Sequence, residues 1–295
     1  MRLLIKIFLI ALPVFFLNGC ESEEVYYNLP VANKKLIVYC FFNPDSIWSV
    51  NVSKLGDILD EEKSDLWVTN ASVFLYEDNL LIDTLVYLKA GVYISTKGLK
   101  PLYNKDYNIL VKCSGYGDVF STNEKLPAPV TISDVVYYNF LLENVFPNDI
   151  YIIQQTEQFV YASLEFKVNN SLKNQFFKVF LSNDTLGNRE GVSLSKDAKK
   201  DFTEYYSWEC SVLESNHGGE LFMQMPVIPE QQRYLSVYTV SESYILYELS
   251  YAEYDFVINS TYLLTPNNIY SNISGGCGVF AGYTSNRIDL KDYYK

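Results

Sequence analysis

In two stretches of this chain every second residue is apolar, and no other feature limits the possible folds as tightly. Leu36, Val38, Cys40 and Phe42 hold alternate positions in one, and Tyr107, Ile109, Val111 and Cys113 do so in the other. A period of two gathers each set on one side of an extended strand, whereas a helix would scatter them around its axis. Both are read as core-facing strands. Five further short runs, at 48–55, 71–76, 80–88, 92–95 and 119–122, are rich in β-branched and aromatic residues. Turn signals separate them, among them Glu77-Asp78-Asn79 and Ser114-Gly115-Tyr116-Gly117.

Seven such runs before residue 126 predict an immunoglobulin-like antiparallel β-sandwich over 34–126. Leu126-Pro127-Ala128-Pro129 then interrupts the pattern, because two prolines so close together stop any strand. A second β-rich domain is expected over 130–295, with strands at 132–138, 151–155, 160–168, 175–181 and 234–240. It carries one predicted helix over 242–256, opened by Ser241 as N-cap, with Ile245, Leu249, Ala252 and Phe256 covering one face. Tyr244, Tyr247, Tyr251 and Tyr254 form a stripe beside that face. Tyrosine can bury its ring and keep its hydroxyl wet, so the stripe is read as packing, with the helix lying across the sheet.

At the start of the chain, Arg2 and Lys6 flank an uncharged run over 7–17 that is shorter than the roughly 20 residues a spanning helix needs. With Gly19 before Cys20 it reads as a secretory signal, residues 1–19. Leu17-Asn18-Gly19-Cys20 resembles the bacterial lipobox, in which the cysteine becomes the acylated first residue; Asn18 departs from the small residue usual there. Several acyl chains at about 0.8 kcal/mol per buried methylene would hold the protein in a membrane. Residues 20–33 are then an acidic tether, and Glu21-Ser22-Glu23-Glu24 resembles the signal that carries some Bacteroidota lipoproteins to the outer cell face. Removing residues 1–19, with two cations and no acid, takes the formal net charge from −12 to −14. Such a surface repels phosphate backbones, so nucleic-acid binding is excluded.

Candidate sites are sparse. Residues 182–233 are polar and weakly periodic but hold Phe202, Tyr205, Tyr206 and Trp208, a set that reads either as a grip on a partner or sugar or as one strand of a packed hairpin. Four thiols remain besides Cys20, namely Cys40, Cys113, Cys210 and Cys277, and none forms a CxxC pair, so no metal site is expected. Cys40 with Cys113 is the better disulfide candidate, the alternative being inert core thiols. His217 is the only histidine, in a polar turn and without a G-x-S-x-G nucleophile motif anywhere, and it reads as a solvated loop residue. Gly275-Gly276-Cys277-Gly278 lacks the Lys-Ser/Thr of a phosphate loop and reads as a tight turn. Asp45-Ser46-Ile47, Asp83-Thr84-Leu85 and Asp184-Thr185-Leu186 resemble the short acceptor for O-linked glycans of Bacteroidota envelopes.

The segment SNISGGCGVFAGY over 271–283 resembles the end of the Bacteroidota outer-membrane lipoprotein family catalogued as domain of unknown function 4249, where an Asn and a Gly-Gly-x-Gly turn lead into a Val-Phe-x-Gly strand. The strand over 35–42, NASVFLYEDN from Asn70, the strand at Tyr93, Tyr107-Asn108-Ile109-Leu110-Val111, the Gly115-Tyr116 turn and Pro127/Pro129 follow that family's order. Cys277 stands where a small or apolar residue is expected. The resemblance implies a non-catalytic lipoprotein at the outer membrane, needing no cofactor and serving as accessory or substrate-capture partner of a TonB-dependent transporter. Two alternatives stay open: a surface glycan-active enzyme using paired carboxylates, and an adhesion or scaffold lipoprotein.

Overall fold

The computed structural model describes residues 34–56, 66–140, 161–170, 175–182, 202–206, 211–215, 219–227, 233–259 and 268–293. The signal segment, Cys20, the acidic tether, the run at 151–155, Cys210 and His217 lie outside the described residues. The strands are β1 Leu36–Phe42, β2 Ser49–Lys54, β3 Ser72–Glu77, β4 Leu80–Lys89, β5 Val92–Ile94, β6 Asp106–Lys112, β7 Val119–Ser121, β8 Glu124–Lys125, β9 Thr131–Phe140, β10 Tyr161–Asn170, β11 Gln175–Ser182, β12 Phe202–Tyr206, β13 Ser211–Ser215, β14 Gly219–Val227, β15 Tyr234–Val240, β16 Ile273–Ser274 and β17 Cys277–Asp289, with one α-helix among the described residues, α1 Glu242–Asn259. The protein is mainly β, as the alternation requires.

Strand order in the larger sheet is β12-β13-β11-β15-β17-β1-β2-β5-β4-β3-β6-β7-β16, with β8 beside β6; β14-β10-β9 form a separate antiparallel sheet. The sandwich arises where β4 changes partners. Its residues 80–85 pair with β3, and Val86 to Lys89 pair with β5, so one strand serves both layers. Leu36, Val38, Cys40 and Phe42 all point into the core, as do Tyr107, Ile109 and Val111. Each such side chain contributes roughly 1.5–3 kcal/mol of apolar burial. Phe42, Trp48, Tyr107 and Phe280 form the aromatic centre, with centroid separations of 4.8 Å for Phe42–Trp48, Trp48–Tyr107 and Phe42–Phe280.

Among the described pairings only that of β1 with β17 is parallel. The strand directions explain it. β1 starts at one end of the sandwich, called the base below, and runs toward the opposite end, the tip. β16 runs antiparallel to β7 and delivers the chain to the base, where Gly275 and Gly276 turn it into β17. Starting at the same end, β17 must run alongside β1. The turn has no room for side chains: Gly275 has φ 77°, and a Cβ on Gly276 would lie 2.6 Å from the Leu36 carbonyl oxygen. Gly278, at φ 120°, lies against the Val38 backbone and admits no Cβ either. The glycine motif is therefore a tight turn with close backbone approach.

β17 continues past the sandwich. Residues 277–282 pair with β1, and residues 283–289 pair with β15, so the last strand joins the sandwich to the C-terminal sheet. Pro127 and Pro129 lie in the coil between β8 and β9. Ser241 caps α1, its Oγ accepting from Tyr244 N–H at 3.4 Å. Ile245 is buried against Val240, while Tyr244 and Tyr247 pack edge-on to Phe41 at 5.0 Å and Tyr39 at 5.8 Å. The helix thus lies on the outward face of β1, where the tyrosine stripe is packing at its first two members. Tyr251 stacks on Tyr247 and stays half exposed.

Before Tyr283 no described strand pairs with β17 on the side opposite β1, and a side chain fills the gap. Asn272 Nδ2 donates to the Phe280 carbonyl at 2.8 Å, and Phe280 N–H donates to Asn272 Oδ1 at 2.9 Å. This amide reproduces the pair of bonds a neighbouring strand would make, inside a buried site. Asn272→Ala leaves both Phe280 backbone groups buried and unpaired, and a loss of about 2–3 kcal/mol is expected in the urea midpoint. Asn108→Ala, whose side chain bonds Asn123 at the surface, should cost under about 0.5 kcal/mol in the same titration.

Candidate functional site

The tip of the sandwich is built from three loops. The β3–β4 hairpin turns on Asp78 and Asn79, both at positive φ (48° and 66°), as a two-residue loop of this hand requires. The segment before β6 is fixed to that turn: Lys105 Nζ lies 2.5 Å from Asp78 Oδ2, and Asp78 N–H donates to the Asp106 carbonyl at 2.8 Å. The Tyr107 hydroxyl donates to Glu77 Oε2 at 2.8 Å and accepts from Leu102 N–H at 2.9 Å. The third loop, after β1, is held by Asn43, whose Oδ1 accepts from the N–H groups of Asp45 and Ser46. Lys100 Nζ donates to the Asp45 carbonyl at 2.8 Å, tying this loop to the second.

These restrained loops expose large apolar side chains. Leu80 is 71% exposed, Leu102 56%, Leu81 53%, Tyr103 44% and Ile47 40%. Grouped apolar exposure on rigid backbone suits docking, because little conformational entropy remains to be lost on contact. Beneath the hairpin, Asp83 is buried yet satisfied, accepting from Ser95 Oγ at 2.6 Å and pairing with Lys97 at 3.2 Å. Among the described residues no three His, Cys, Asp or Glu side chains group as a metal site.

A second polar cluster lies inside, where β8, α1 and the segment before β16 meet. Glu124 accepts a short hydrogen bond from Ser243 Oγ, and Asn272 Nδ2 lies 3.2 Å from Glu124 Oε1. Ser243 Oγ is also 3.1 Å from the Tyr270 hydroxyl. Burial pushes the Glu124 carboxyl above the ordinary glutamate value, partly offset by hydrogen bonds from Ser243, Ser241 and Asn272. Under the middle of the helix, Lys178 on β11 is buried with Glu248 of α1 at 2.5 Å, its ammonium 5.3 Å from the Tyr244 ring centroid. Both clusters fasten the helix to the sheets. A buried charge pair of this kind specifies one docking more than it adds stability.

The residues singled out in the sequence fall in different places. Phe202, Tyr205 and Tyr206 belong to β12, which pairs with β13 as the outermost strands of the long sheet; their side chains and Trp208 lie outside the described residues. Their stretch, only weakly periodic as sequence, holds β12, β13 and β14. Cys40 and Cys113 are free thiols, as is Cys277, so the considered disulfide is not formed. β6 ends at Lys112, and Cys113 just past it keeps the inward side, partly exposed but packed against the core, its Sγ 3.7 Å from Asn70 Oδ1. Cys40 is buried, and desolvation raises its thiol pKa. Of the glycan-acceptor look-alikes, Ser46 is exposed on the tip and Thr84 is exposed between buried Asp83 and Leu85, while Thr185 lies outside the described residues. The tip leucines escaped the sequence reading because Leu80 and Leu81 stand in an apolar run where exposure and burial look alike.

The folded chain holds the Glu124 proton more tightly than the unfolded chain, so this group makes stability fall as pH rises from the ordinary glutamate range through its raised folded value. In urea titrations Glu124→Gln should therefore gain on the parent at about pH 8 and lose that advantage toward about pH 4. No curated protein matches this chain. A family model matches residues 22–289, nearly the whole of the described fold. The chain belongs to the family described as domain of unknown function (DUF4249).

Proposed function

We propose that this protein is a non-catalytic lipoprotein of a bacterial outer membrane, anchored through Cys20 and facing the cell exterior, where it serves as accessory or substrate-capture partner of a TonB-dependent transporter. The carrying observation is the exposed apolar tip formed by Ile47, Leu80, Leu81, Leu102 and Tyr103. The chain enters β1 at the opposite end, sixteen residues after Cys20, a length that reaches at most about 58 Å when extended. Chain entry at that end keeps the tether's point of attachment off the tip. The lipobox-like Leu17-Asn18-Gly19-Cys20 supports the membrane assignment, and the family's collinear motifs support the class.

The tip carboxylates favour docking over glycan cleavage. Glu77 accepts from the Tyr107 hydroxyl and lies 3.7 Å from Lys105, and Asp78 is paired with the same lysine, so both serve to hold loops together. Labelled palmitate should mark the parent and not Cys20→Ala. Purification of the lipidated protein in mild detergent is expected to bring down a β-barrel protein. Leu80→Glu/Leu102→Glu should lose that partner while keeping the parent's circular dichroism and membrane fraction; co-elution undiminished by the double substitution would remove the tip from the account.

A further inference from the structure

The base of the sandwich carries a second exposed apolar group. Leu55 is 44% exposed, Trp67 47% and Leu88 54%. All three stand where the chain enters the fold. Leu55 N–H donates to the Lys35 carbonyl at 2.9 Å, immediately before β1. Trp67 bridges Ser53 on β2, with Lys54 N–H donating to the Leu66 carbonyl at 2.7 Å and Val68 N–H to the Val52 carbonyl at 3.2 Å. Leu88 precedes the Lys89-Ala90-Gly91 turn, which leads into β5 beside β2.

Trp67 is held in place while remaining exposed. Gly91 has φ 75°, and a Cβ there would lie 2.9 Å from Trp67 Cε3 and 2.5 Å from the Val52 carbonyl oxygen, so the ring lies over the bare glycine backbone. The next residue, Val68, is buried in the core and fixes the segment. Exposed Lys34, Lys35 and Lys89 flank the group, with stems long enough to keep their charge in water while the apolar side chains are covered. A tryptophan among leucines and lysines matches the chemistry of a bilayer's polar–apolar boundary.

We propose that Leu55, Trp67 and Leu88 form a membrane-contact surface, resting on the headgroup boundary of the bilayer that holds the Cys20 lipid. This rests on the lipid-anchor reading above and deepens it: the chain enters β1 at this end, so the base is the part of the sandwich nearest along the chain to Cys20. The five acids of segment 57–65 disfavour an anionic surface, so a zwitterionic one is the fitting partner.

The test reconstitutes the mature, lipid-bearing chain into phosphatidylcholine vesicles in which part of the lipid carries bromine on its acyl chains, and reads tryptophan quenching. Trp48 is buried in the core, so Trp67→Phe should remove more than half of the quenchable emission, while Trp208→Phe retains it. Leu88→Glu should reduce the quenching of Trp67 at least twofold without shifting the urea midpoint. Vesicle-bound protein with unquenched emission, or quenching that survives Trp67→Phe, would overturn the contact and leave the anchor standing. Protein that fails to float with the vesicles overturns the anchor, and the contact with it.

Discussion

The fold depends on the last strand lying beside the first. β17 completes the sheet next to β1, places Phe280 among Phe42, Trp48 and Tyr107, and then carries the chain into the C-terminal sheet. Three local devices permit it. Gly276 and Gly278 let backbones approach where no side chain fits, Gly275 supplies the left-handed turn, and Asn272 satisfies the Phe280 backbone on the side of β17 away from β1. The same asparagine reaches Glu124 and so links the core of the sandwich to the start of α1.

The strands of the sandwich were legible because burial on one face forces a period of two. β1 coincides with the predicted run 36–42, and β15 with 234–240. The helix was legible through its Ser241 cap and its periodicity, although it extends three residues beyond the predicted end, to Asn259. What escaped was pairing between distant segments. Nothing local in the GGCG motif says that its strand will run parallel to β1, since that follows from where the preceding strand ends. β12 matches the reading of its aromatics as one strand of a hairpin, since it pairs with β13, whereas β13 and β14 gave no periodic signal of their own.

The candidate site was less legible than the fold. Exposure is not a property of composition, and Leu80 looks like Leu85 until the hairpin places one at the tip and the other in the core, at 71% and 3% exposure. Asp83 could be recognised as acidic but not as buried, because its partner Ser95 lies twelve residues away, just past the end of β5. Cys40 and Cys113 both lie on the core side, as the alternation indicated, but alternation alone does not say whether two inward thiols on separate strands meet, and both are free.

Because β1 is completed by a strand 240 positions further along the chain, the sandwich cannot close before that strand has been made. Asn43 and Tyr283, hydrogen-bonded at 2.8 Å, are 240 positions apart. Contacts of such sequence separation form slowly, since the intervening chain must first surrender its freedom. Until the last strand arrives, Phe42, Trp48 and Tyr107 lack Phe280, and the aromatic centre of the core stays incomplete.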